Sequence, residues 1–352
     1  MNKNNISILD CTLRDGGFCL EDAAKYNIKT KLFSDEDMKF IIHKLAAAKI
    51  DYMEIGAVEL SDNDKTIYGI KHKIEDFSDF IIASEKANLN QAVFFRGPDT
   101  PIEKVPDWKK GICSIVRLCV RYSEIKKSIE YCKQLREKGY QVSIQPMVTV
   151  RYTREQLKYI FEAANEMEAF AVYFVDSYGY LTKAEVLEYF TLFDNNLKEN
   201  IRVGFHGHNN MASAFANAQA LAELETTRKI IIDSCVMGMG QGAGNLQTEL
   251  FSAYLNQYEA RYDFDEILDI CDYIEQIKGF DLWGYSVDRL LPAIHKVAYK
   301  YSFALHHQYG VKFRDINKML KRIPEEMRHR YTPENVKKLM QMNDYKFWQR
   351  VL

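Results

Sequence analysis

The chain has 352 residues, 47% of them apolar, and a formal net charge of −2. That length accommodates one large domain with an appendage or two modest domains, and that composition excludes an intrinsically disordered chain. The near-balanced charge, with only local doublets such as Lys109-Lys110 and Lys126-Lys127, provides no field that would gather nucleic acid or an anionic membrane.

The first residues, Met1 to Ile8, lack the apolar core of a secretory leader and run directly into a strand. No stretch approaches the roughly 18 uncharged apolar residues that a spanning helix needs. A soluble cytoplasmic protein is expected. Strands are predicted at Ile6–Cys11, Tyr52–Ile55, Ala92–Phe95, Ile115–Val120, Gln141–Gln145, Ala171–Val175, Arg202–His206 and Ile230–Cys235, eight in all. Most of their positions are apolar, as in strands covered on both faces. Helices are predicted at Ser34–Ala48, Ser123–Lys138, Thr153–Met167, Thr182–Leu197, Asn210–Leu224 and Asn245–Tyr258. Ser34 is the candidate N-cap of the first, with Asp37 at the capping-box position, and Gly139 is the stop signal of the second.

Eight β–α alternations predict an α/β protein, a closed (β/α)8 or TIM barrel. The rival, an open doubly wound sheet, usually has fewer strands and a glycine-rich first turn, and Arg14-Asp15-Gly16-Gly17 is no dinucleotide fingerprint. Beyond about Tyr262 only helices are predicted (Phe264–Lys278, Leu290–His307, Asp315–Leu320 and Thr332–Met342), with aromatics from Trp283 to Trp348. The expected organisation is therefore a catalytic barrel over 1–262 and a C-terminal helical appendage over 263–352. The seven cysteines are odd in number and lack zinc-type or CxxC spacing, so reduced, mostly buried thiols are expected.

Active sites of such barrels lie at the C-terminal ends of the strands. The polar residues there are Asp10, Thr12, Arg14 and Asp15 after strand one, Glu54 on strand two and Arg121 after strand four. Strand five offers Gln145 and Thr149, strand six Asp176 and Ser177, and strand seven His206 and His208. Two histidines two apart on an extended segment face the same side. With a carboxylate from the end of strand one they leave positions open for water and substrate, a set that suits Mn²⁺, Mg²⁺, Co²⁺ or Zn²⁺. The plain alternative is a pair of surface histidines. Arg14 cannot lose its proton and is suited to hold the oxyanion of an enolate; its alternative is a salt bridge in the barrel mouth. Glu54 and Asp10 read equally as catalytic and as structural. The run from Gly238 to Asn245, through Gly242 and Gly244, predicts close backbone approach to a ligand or an anion at a helix N-terminus, against a plain flexible loop. Gln145 and Asp176 join Gly242, Gly244 and Asn245 as candidates for binding substrate or anion.

The set Thr12-Leu13-Arg14-Asp15-Gly16, His206-Gly207-His208-Asn209 and Gly238-Met239-Gly240-Gln241-Gly242-Ala243-Gly244-Asn245 resembles the DRE-TIM metallolyase superfamily, on the side of the 4-hydroxy-2-oxovalerate aldolases and HMG-CoA lyase. The resemblance covers residues 6–258, with a weaker match around Tyr301-Ser302-Phe303. It implies a divalent metal held by Asp15, His206 and His208, with Mn²⁺ foremost, and Arg14 as the enolate-stabilising arginine. It also implies a tail tyrosine, matched by Tyr301, that reaches the site. The implied activity is that of a lyase of aldolase type making or cleaving a carbon–carbon bond next to a pyruvate-like 2-oxo acid. The resemblance also implies a dehydrogenase as partner of the tail; alternatively, the aromatic tail is expected to mediate self-association, as a homodimer through the C-terminal region. One departure stands out: where the aldolases carry an acid/base histidine, this chain has Phe18, and the insertion from Phe18 to Ser34 has the length of a lid. Three further readings remain open: an acyl-CoA condensing or cleaving enzyme of the same superfamily, a metal-dependent hydrolase, and a non-catalytic partner subunit.

Overall fold

The computed structural model describes residues 5–25, 33–59, 69–82, 90–277 and 283–343. Part of the Phe18–Ser34 insertion, Lys278 and Trp348 lie outside them. Eight strands form the barrel: β1 (Ile6–Asp10), β2 (Tyr52–Val58), β3 (Asn90–Phe95), β4 (Ile115–Val120), β5 (Gln141–Pro146), β6 (Ala171–Asp176), β7 (Arg202–Gly207) and β8 (Ile230–Ser234). All neighbours run parallel. β1 pairs with β8 from Ile6↔Ile230 to Asp10↔Ser234 and with β2 at Leu9↔Tyr52, which closes the sheet. A two-residue strand, Ile70–Lys71, lies beside the end of β2. The register of β2 against β3 shifts between Glu54 and Ala57, the kind of irregularity that re-aims side chains near barrel rims.

The surrounding helices are α1 (Gly17–Lys25), α2 (Asp35–Ala47), α3 (Ile125–Glu137), α4 (Arg154–Glu166), α5 (Lys183–Asn196), α6 (Ala214–Ala222), α7 (Thr248–Asn256) and α8 (Phe264–Ile277). Ser34, Thr153 and Thr182 each cap a helix through a complete capping box, with Asp37, Gln156 and Glu185 reaching back. The alternation is imperfect. In the described residues after β2 and after β3 only 3₁₀ turns form, Ile74–Phe80 and Ile102–Lys104.

The tail comprises α9 (Val287–Ile294), α10 (Lys300–Phe303), α11 (Phe313–Lys321), α12 (Glu325–Arg328) and α13 (Pro333–Gln341). The single helix predicted over Leu290–His307 is broken, because Lys296 takes a left-handed backbone (φ 54°) that ends α9. Helix α8 joins the barrel core through Ile267, Ile270 and Ile274, whereas a second core begins at Leu291. Six of the seven cysteines are buried and all are free thiols. Among the described residues no helix is long and apolar enough to cross a membrane.

Two anchors hold the connections. Arg228, before β8, is buried and donates five hydrogen bonds: to the Asp194 carboxylate and to the carbonyls of Asp194, Leu197, Lys198 and Ile201. One guanidinium thereby satisfies carbonyls at the C-terminus of α5 that would otherwise lack partners. Asp176, at the end of β6, accepts from the backbone N–H groups of Tyr180 (3.1 Å) and Leu181 (2.9 Å) and shapes the turn into α5. Burial raises its pKa to about 6, against the lowering effect of those N–H groups.

Arg228→Ala should lower unfolding free energy by about 3 kcal/mol, since it strands the Asp194 carboxylate and several carbonyls; urea denaturation measures this. For Asp176 the folded protein holds the proton more tightly than the unfolded chain, whose value is the ordinary 3.8. Its contribution to stability therefore falls as pH rises from 3.8 to about 6 and stays constant above. In Asp176→Asn this component of the pH profile should vanish; an unchanged slope across that window would contradict the assignment.

Candidate metal centre and active site

Cys11 ends the β1 ladder, and Thr12–Gly16 form a wide π turn that runs into α1. Such turns often mark functional positions. The start of the turn is tied down. Asp10 accepts from Thr12 N (2.9 Å) and from Thr248 Oγ1 (2.6 Å), and Thr12 Oγ1 accepts from Val236 N (2.8 Å). Asp10 thus bridges the end of β1 to the start of α7.

The turn sets Arg14 and Asp15 in the barrel mouth, both buried. Arg14 donates from Nη1 to Asp15 Oδ1 (2.6 Å) and from Nε to Glu54 Oε2 (2.6 Å), while its guanidinium lies 4.6 Å from the Phe94 ring centroid. Burial favours losing the charge, but the two carboxylates overcome it and raise the Arg14 pKa further. Glu54 Oε1 lies 2.9 Å from Arg117 Nη1, and Arg117 also donates to Asp233. Asp233 in turn holds His206 Nδ1 at 2.9 Å. A continuous buried chain therefore runs Asp15, Arg14, Glu54, Arg117, Asp233, His206. Arg117 and Asp233 escaped the sequence reading. Their signal was a charge inside an otherwise apolar strand, Ile-Val-Arg-Leu-Cys-Val and Ile-Ile-Ile-Asp-Ser.

Asp15, His206 and His208 present ligand atoms that all lie within 4.8 Å of one another. Burial opposes the Asp15 charge, but Arg14 and then the two histidines draw its pKa down to about 2. Burial also opposes charge on His206, where the Asp233 hydrogen bond prevails and lifts the pKa to about 10. Burial prevails at His208 and lowers it to about 4. A second grouping, Cys11, His206 and Asp233, shares His206. Neither Cys11 nor Asp233 lines the cavity described below, whereas Asp15, His206 and His208 all do, so the Asp15 grouping is the better cation site.

Asn245 completes that grouping. Its Nδ2 donates to Asp15 Oδ2 (2.5 Å) and Met239 O (2.8 Å), whereas its Oδ1 is buried without a hydrogen-bond partner, as is His208 Nδ1. One carboxylate, two imidazoles and an orphaned amide oxygen fit a divalent ion of mixed nitrogen and oxygen preference. The carboxylate–histidine contact through Asp233 is the usual outer support of a metal-binding imidazole. Two glycines make the approach of Asn245 feasible. A Cβ on Gly240 would come within 2.2 Å of Asn245 Nδ2 and 2.7 Å of Asp15 Oδ2, and one on Gly244 (φ 83°) within 1.9 Å of Gly238 O.

A cavity of about 380 Å³ opens onto Arg14, Asp15, His206 and His208. Gln145 lines it, with its amide on Ser143 Oγ (3.0 Å). Phe18 forms part of the wall, with Arg96 over its ring at 4.0 Å. Asp176 is turned into its own loop, away from the lining, and Gly242 and Gly244 shape the loop that carries Asn245. Tyr301 is buried in the tail core, donating to the carbonyls of Met327 and Arg330 (both 2.8 Å). The tail residues that line the cavity are Tyr299 and Lys300, both bonded to Asp22, at 2.7 and 2.9 Å. The break of the predicted helix at Lys296 changes the phase of the segment and brings these two to the wall.

Residues 5–274 match the HMGL-like family. An oxaloacetate decarboxylase of Mycobacterium tuberculosis is 29% identical over 287 residues, covering 79% of this chain and 80% of that protein. A 4-hydroxy-2-oxovalerate aldolase of Bacillus thuringiensis is 29% identical over 262 residues, 72% of this chain and 73% of that protein. In fold, the chain is similar to a Bacillus subtilis HMG-CoA lyase, with a TM-score of 0.61 at 18% identity over 77% of this chain and 92% of that one. With the site geometry and the family match in agreement, the chain belongs to the HMGL-like family of the DRE-TIM superfamily.

Proposed function

We propose that the protein is a divalent-metal-dependent lyase of aldolase type that makes or cleaves the bond next to the carbonyl of a pyruvate-like 2-oxo acid, through an enolate held by Arg14. The observation that carries this reading is the pairing of Arg14 with Asp15 at the head of a cavity that also meets His206 and His208. A divalent ion, with Mn²⁺ favoured, would be held by Asp15, His206, His208 and Asn245 and would supply Lewis acidity toward the 2-oxo and carboxylate oxygens.

The protein's own residues do the rest. Arg14 offers fixed donors to the enolate oxygen, and Glu54, bonded to its Nε, sets the plane of the guanidinium. Gln145 offers an amide to the substrate from the cavity wall. Phe18 and Phe94 give the wall an apolar face that excludes water. Phe18 exchanges no proton, so proton transfer is assigned to Tyr299, whose hydroxyl is held by Asp22. Tyr301 has a positioning role: its anchorage sets the segment that presents Tyr299 and Lys300. Phe18 also favours a second reading, decarboxylation of a 2-oxo diacid, which reaches the same enolate without a base to begin it; a relative carries that activity in its name. Self-association is assigned to the exposed apolar Tyr285, Val287 and Ile294 at the start of the tail.

Exchange of pyruvate methyl protons with deuterium, followed by NMR, should require added Mn²⁺. It should fall by at least about 100-fold in Arg14→Ala and disappear in Asp15→Asn. Exchange that persists in Asp15→Asn would refute the reading. Retained exchange in Tyr299→Phe would remove that residue from proton transfer, and CO₂ release from oxaloacetate without aldehyde-dependent turnover would select the second reading. Light scattering should show a dimer that Ile294→Asp weakens; a monomer would exclude the tail contact.

A further inference from the structure

A second cavity, of about 440 Å³, lies where the loop after β5 meets the tail, and it shares no lining residue with the catalytic cavity. Three cations converge on it from segments far apart in sequence: Arg151 from the turn after β5, Lys296 from the end of α9 and Arg328 from the end of α12. Arg328 is spent: it pairs with Glu325 at 2.9 Å and donates to His295 O at 2.6 Å. Glu325 is the sole carboxylate on the described lining, so Arg328 neutralises it. Arg151 and Lys296 make no ion pair among the described residues. Instead each rests against an aromatic face of the same cavity, Arg151 over Tyr122 at 4.7 Å and Lys296 over Tyr180 at 5.2 Å. The nearby Glu185, outside this lining, accepts from the Thr182 N (2.8 Å) and Oγ1 (2.7 Å) and also feels the charge of Lys296.

The lining therefore holds a surplus of two positive charges in a chain whose net charge is −2. One of them, Lys296, is presented by a left-handed backbone that a side-chain-bearing residue adopts only at a cost. His329, half-buried, also lines the cavity. Its ring stacks on Tyr178 at 5.7 Å with 1° between the planes, and its Nδ1 is buried without a partner. Tyr178 in turn lines the catalytic cavity, so an occupant of the second cavity sits one stacked pair away from the first.

The geometry points to a second ligand site, for a small organic dianion on a flat apolar body, such as a phosphate monoester of a heterocycle. Arg151 and Lys296 meet the two charges, Tyr122 and Tyr180 flank the flat body, and His329 offers a nitrogen. The site stands independently of the reaction proposed above, because neither charge nor shape there depends on Asp15 or Arg14.

Titration calorimetry with AMP, inorganic phosphate and adenosine tests this on the full chain. AMP should bind saturably and phosphate more weakly, while adenosine should not bind. Arg151→Ala and Lys296→Ala, both at exposed positions and checked for fold by circular dichroism, should each weaken AMP by about tenfold, and the pair should abolish it. The His329 imidazole protons should shift in the NMR spectrum as AMP is added, which places the ligand in this cavity. No saturable AMP binding at millimolar concentration would overturn the site. So would equal affinity in the double variant, or adenosine binding as tightly as AMP.

Discussion

The structure depends on a buried ladder of opposite charges across the barrel mouth. Two guanidiniums, Arg14 and Arg117, alternate with three carboxylates, Asp15, Glu54 and Asp233, and the ladder ends on His206. Charges removed from water are costly unless each meets a partner, and here the partners come from the turn after β1 and from β2, β4, β7 and β8. The ladder works only in a closed barrel: Glu54 on β2 and Asp233 on β8 are bridged through Arg117 on β4. With His206 charged, as its pKa of about 10 gives at neutral pH, the ladder is electrically neutral, and a cation bound by that imidazole takes the place of its proton. The same contacts that make the interior tolerable thus prepare a cation site and fix the plane of Arg14.

Positioning in the site descends from backbone features more than from side-chain reach. The π turn places consecutive residues, Arg14 and Asp15, so that they bond each other and still face the cavity. Gly240 and Gly244 let the loop after β8 close on Asp15 through Asn245. Glu54, the last β2 residue in regular register with β3 before the shift, meets Arg14 through Oε2. The cation site is therefore assembled by β1, β7 and β8, while β3 to β6 supply the wall that a substrate would meet.

Much of this was legible in the chain. All eight barrel strands stand where the apolar runs place them, because strands covered on both faces must be apolar almost throughout. The capping residues Ser34, Thr153 and Thr182 mark their helices through local chemistry that needs no tertiary context. Asp15, His206 and His208 could be grouped because strand ends meet at one rim of a barrel. Arg117 and Asp233 were not legible, since a lone charge in an apolar strand acquires meaning only once closure sets it across from its partner. The tail was harder still. Helical periodicity carries through Lys296, but the left-handed turn there shifts the phase, so that Tyr299 and Lys300 reach the cavity and Tyr301 is packed inside the tail.

Arg228 carries a consequence for the order of assembly. Its hydrogen bonds span only 27 to 34 residues and join the end of α5, the entry to β7 and the entry to β8. Asn245 and Asp15, by contrast, meet across 230 residues. Loop-closure entropy favours the shorter connections early in folding. A nascent half-barrel that already holds His206 and His208 is therefore expected to wait for β1, and the cation site comes into being at the closing step of the barrel, when the two ends of the domain are joined.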